Sequence, residues 1–189
     1  MLGFIVAGIT AVTSFAFIAM TRAISTTIAT SMKNLILVKH IVSLIEDLAK
    51  SLNITDSEDE IREIGDRVIQ AEENGIMADK YETWKDYKEA LENFELDSKR
   101  SLEIEDEDKE VVGLAFALKE IELEMDFDIS TLLESIKDVP ELLEKEKLEI
   151  LIKELKKEGY SAFDIKNYFD GDLSAANLEK IDSIIEKLK

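Results

Sequence analysis

The chain has 189 residues and a formal net charge of -19, long enough for one ordinary core and a small second helical module. It has no cysteine, one proline and seven glycines, which excludes disulfides and thiolate metal sites and argues against a turn-rich β architecture. So acidic a body repels phosphate backbones, making nucleic acid a poor partner and a basic protein a better one.

No charged side chain occurs in residues 1–21, and Arg22 is the only one before Lys33. A helix of about 20 apolar residues matches a hydrocarbon core of about 30 Å, so residues 2–21 predict a membrane span. Gly3, Ala7, Ala11, Phe15 and Ala19 fall four apart, the spacing that lets a second helix, in lipid or in a protein assembly, approach closely. Arg22, Lys33 and Lys39 then place the following chain in the cytoplasm by the positive-inside rule. A core helix of a soluble assembly has the same length and hydropathy.

The helical pattern continues past this stretch. Ile28, Met32, Leu35, Val38, Val42 and Ile45 step by three and four, a seam suited to helix pairing. One long helix over residues 3–52 is expected, working as a homo-oligomer.

Residues 51–139 carry 10 basic and 28 acidic side chains. Ser57 with Glu60 reads as a capping box, Ile61, Ile64, Val68 and Ile69 as an apolar stripe, and Asn74-Gly75 as a stop. A helix over 78–96 would bury Tyr81, Trp84, Tyr87 or Lys88, Leu91 and Phe94 as packing residues. Glu103, Glu105, Asp106, Glu107 and Asp108 form an acidic run that reads as a solvated loop leading into a helix N-terminus, where the dipole favours carboxylates. This run is the candidate acidic interaction surface. An amphipathic helix follows through Val111, Leu114, Ala115, Leu118, Ile121 and Met125.

The last fifty residues predict a short helix at 128–137 and helices at 140–158, 161–169 and 174–188, with Gly159 and Gly171 as stops. This spacing resembles a helix-turn-helix, but its second helix offers Lys180 and Lys187 beside Glu179, Asp182 and Glu186, a poor set for reading DNA. Asp170, Asp172 and Ser174 match three loop positions of an EF-hand, while Ala175 and Ile181 stand where its glycine and bidentate glutamate belong. The lone His40 has no metal-binding or catalytic context. No enzymatic motif, cofactor or metal is expected.

An apolar N-terminal helix carrying a separate head resembles type IV pilins, and Gly3-Phe4 is similar to the junction at which their precursors are cut. The chain departs from that pattern in its missing basic leader, in Gly8 where pilins carry glutamate, and in a head without β pattern.

The sequence therefore predicts an all-α protein in three parts: a long apolar helix at 1–52, an acidic helical body at 53–139 and a three-helix module at 140–189. The expected function is that of a non-enzymatic, single-pass membrane scaffold that self-associates through helices and docks a protein partner on acidic helices. A filament or virion subunit with the apolar helix buried among copies is the alternative, and a regulator with a DNA-binding C-terminal module the third.

Overall fold

The computed structural model describes residues 35–55 and 57–188, with side chains from Lys39 onward. Nine α-helices and two short 3-10 turns, with no strand among the described residues, confirm the all-α class. In chain order the helices are α1 (Leu35–Ser51), α2 (Glu58–Glu73), α3 (Trp84–Glu92), α4 (Ser98–Glu103), α5 (Asp106–Met125), α6 (Ile129–Ile136), α7 (Lys145–Glu158), α8 (Ala162–Asp170) and α9 (Ala175–Glu186).

Of the helix expected over 3–52, the structure describes only the 17 residues of α1. Gly3, Ala7, Ala11, Phe15, Ala19, Ile28 and Met32, and the expected span at 2–21, lie outside the described residues. The single-pass membrane location is corrected: no helix among the described residues is long and apolar enough to cross a membrane. The physical reason is visible in α1, which carries Lys39, His40, Glu46, Asp47 and Lys50 on its outer side and buries Ile41, Leu44, Ile45, Leu48 and Ala49 against helices of its own chain. Within the expected seam Ile45 is buried and Val42 only half-buried, so the packed face is rotated towards Ile41, Leu44 and Leu48. Leu35 and Val38 lie in the first turns of the same helix.

The fold is organised around the crossing of α2 and α5, its most extensive helix pair. Gly65 and Gly113 sit at that crossing. A Cβ added to Gly65 would lie 1.8 Å from the Lys109 carbonyl oxygen, and one added to Gly113 would lie 1.9 Å from the Ile61 carbonyl oxygen. Only hydrogen fits in either place, so the two backbones touch. Residues 112–118 of α5 are all buried, because α1 packs on this helix as well as α2. The expected one-sided stripe is instead a nearly surrounded central helix.

Beside the crossing lies a closed polar network. Gln70, 1% exposed, donates to Asp66 Oδ1 at 2.8 Å and to Ser101 Oγ at 2.9 Å, and its Oε1 accepts from the Asp97 backbone N–H at 2.9 Å. Lys109 Nζ stands 3.9 Å from Asp66. These bonds fix the start of α4 to α2, as buried polar groups require.

Between α2 and α4 the expected helix over 78–96 is broken. A 3-10 turn at Ala78–Lys80 is followed by extended backbone at Tyr81 and Thr83, and Thr83 caps α3 by accepting from the Asp86 N–H at 3.1 Å. Tyr87 and Leu91 are fully buried, whereas Tyr81, Trp84 and Phe94 are half-buried.

In the last fifty residues, Pro140 opens a 3-10 turn (Pro140–Leu142) and α7 starts only after Glu144. Ser161 and Asp164 make a reciprocal capping box, and Gly159 and Gly171 end their helices at φ 78° and 81°, values at which a side chain would be strained. α6 packs on α8 and α7 on α9, and the hydrophobic core runs from Ile41 to Leu188 without a break at residue 140.

Candidate docking surface

Along one side of α1 runs a groove of about 700 Å³, closed opposite by the Pro140 turn and the first residues of α7. Its apolar lining is Leu44, Pro140 and Leu143; its polar lining includes Asp47, Glu141, Glu144 and Glu146 against His40 and Lys145. Local sequence explains this placement. Pro140 forces the chain out of helix for one turn, seating Leu142 and Leu143 side by side in the core, while the residues flanking them stay outside. Glu144 and Glu146 fall at the N-terminus of α7, where they offset the positive end of the helix dipole.

Of these four carboxylates only Glu144 forms an ion pair, with Lys147 Nζ at 3.4 Å. Asp47, Glu141 and Glu146 make no ion pair among the described residues.

A second group of acids converges around Glu46, the neighbour of the groove residue Asp47 on α1. Glu46 of α1, Glu58 at the start of α2, and Glu107 and Glu110 of α5 sense one another's charge. Partial burial first, then like charges, raises the carboxyl groups of Glu46, Glu110 and Asp108 above their ordinary range: Glu58 and Asp47 act at Glu46 against Lys50; Glu58, Glu46 and Glu107 act at Glu110 against Arg62; and Glu105 and Glu107 act at Asp108.

Within the predicted acidic run, Asp106, Glu107 and Asp108 form the first turn of α5 and Glu105 is its N-cap residue. Glu103 ends α4 and pairs with Arg100 at 3.3 Å, and Asp106 lies 3.5 Å from Lys109. The run is thus partly neutralised locally. Of the carboxylates that join it, Glu110 follows two residues on, whereas Glu46 and Glu58 come from distant parts of the chain, as do the groove acids. Only Pro140 beside a cluster of glutamates hinted at the groove.

Elsewhere the structure gives polar groups local tasks. Asn177, the most suitable base-reading residue of α9, accepts from the Tyr160 hydroxyl at 3.3 Å. The Tyr168 hydroxyl donates to Asp182, and burial followed by that bond pushes it up to about 12. Among the described residues no group of three or more His, Cys, Asp or Glu side chains is placed to hold a metal ion.

No protein-family model, characterised protein or solved structure matches this chain.

Proposed function

We propose that the chain is a non-enzymatic scaffolding protein that docks a basic, amphipathic segment of a partner protein in the groove between α1 and α7. The observation that carries this reading is the groove itself: three carboxylates without ion-pair partners stand around a floor of Leu44, Pro140 and Leu143. An apolar anchor on the incoming segment fills the floor, and lysine or arginine side chains meet Asp47, Glu141 and Glu146. The charge of the whole molecule, -19, steers such a segment in and disfavours anionic competitors.

A fluorescent peptide alternating leucine and lysine, titrated into the full chain and followed by anisotropy, tests the reading. Binding weakens with added salt, since exposed charges are screened over about 10 Å at moderate ionic strength. The combined change Glu141→Lys, Glu144→Lys, Glu146→Lys lowers affinity by about tenfold or more, roughly 1.4 kcal/mol. Reversing the exposed Glu82, Glu89 and Glu92 around α3 leaves it nearly unchanged. Equal losses from both triple variants would show general attraction to an acidic protein and reject the groove.

A further inference from the structure

At the C-terminal end of α2 two buried polar side chains have no partner. Glu72 is 5% exposed and neither carboxylate oxygen is hydrogen-bonded; Tyr87 of α3 is 0% exposed and its hydroxyl is unbonded as well. The charge of Glu72 is felt at Tyr87, so both belong to the interface between α2 and residues 76–94.

That segment is attached in an unusual way. Ile76 N–H bonds the Ala71 carbonyl at 2.9 Å, but from residue 77 to residue 94 the backbone N–H groups bond only within the segment. Side chains alone hold it down. Trp84 and Lys88 both donate to Glu120 of α5, and the Trp84 ring packs at a tilt with centroids 5.2 Å from Phe116 and 5.3 Å from Tyr87. At the far end Arg67 Nη1 donates to the Phe94 carbonyl at 2.7 Å. Gly75, at φ 84°, is the natural hinge, since glycine turns through such angles at no steric cost.

We propose that residues 76–94 form a flap whose seating on α2 and α5 requires Glu72 to keep its proton, so that ionisation of Glu72 releases the flap and uncovers the surface around Phe116. A protonated carboxyl can be buried at modest cost, whereas an ionised one without a cation cannot. No cation meets it here: Lys80 is turned to the Gly75 carbonyl oxygen, Lys88 to Glu120, and Arg100 to Glu73. The other groups sensed across the interface are the like charge of Asp79 and the phenols of Tyr81 and Tyr87.

Burial first, then Asp79, raises Glu72 from 4.5 to about 8. A carboxyl that binds its proton more tightly in the seated form favours that form fully at low pH. The advantage declines as pH rises from 4.5 and is exhausted above about 8.

Amide hydrogen exchange of the full chain across this range, corrected for intrinsic exchange and referenced to α7, tests the proposal. The open population of residues 77–94 rises about tenfold per pH unit and then levels off, while α7 does not follow. Trp84, the sole tryptophan, shifts its emission to the red over the same interval. Glu72→Gln abolishes the slope, and Glu72→Met does so if the amide variant fails to fold. A wild-type segment whose opening is independent of pH, or a slope that survives in either variant, overturns the proposal.

Discussion

Helix α2 makes two contacts of opposite character. Towards α5 and α4, its backbone meets that of α5 at Gly65 and Gly113 and the polar groups of Gln70 are paired. Two residues further on, towards α3, Glu72 is equally buried and has no partner. Burial alone therefore does not describe how firmly two elements are joined. A contact with no spare volume and a fully paired buried amide has one arrangement, whereas a contact that buries an unpaired acid is poised between two.

The largest expected effect is at the crossing. Gly113→Ala or Gly65→Ala places a methyl group inside the partner backbone and destabilises the protein by about 3 kcal/mol or more, despite the helix propensity gained by alanine. Urea denaturation measures this, and a neutral result would mean that the helices separate freely. Gln70→Ala comes next: it strands the Asp97 N–H and removes a partner from Asp66 and Ser101, at about 1–3 kcal/mol. Replacing Glu72 with Met reverses the sign and sharpens the contrast. It stabilises at neutral pH by on the order of 1 kcal/mol, and the gain shrinks as pH falls towards 4.5. Thermal melts at several pH values check it; a gain that grew on acidification would contradict the assignment of Glu72. Smallest is Ser57→Ala, which removes the 3.2 Å bond from the Glu60 N–H to Ser57 Oγ at the start of α2 and costs about 1 kcal/mol without altering the α2–α3 contact.

What the sequence made legible was local. Ser57, Ser161, Gly159 and Gly171 mark helix ends because capping is settled within a few residues. Thr83 and Asp86 carry the same signal, but the apolar spacing of Tyr81, Trp84 and Tyr87 outweighs it, so the sequence predicts helix where the structure has the 3-10 turn at Ala78–Lys80. The role of Gly113 was hidden for another reason. A glycine inside a helical pattern reads as a small loss of propensity until its neighbour is known, and that neighbour, Ile61, is 52 positions away in sequence. Distance along the chain likewise concealed the candidate site. The run from Glu103 to Asp108 was visible as charge, but the groove pairs α1 with the Pro140 turn, and no periodicity reports that meeting.

His40, the only histidine of the chain, lines the groove, so its imidazole resonances provide a single reporter at the proposed docking site. Titrating the full chain with the leucine–lysine peptide while recording the imidazole and backbone NMR spectra tests the docking proposal most directly. Saturable shifts at His40, Ser43 and residues 144–146, lost in the groove triple variant, are predicted. Shifts spread over the acidic surface with His40 unmoved would contradict it.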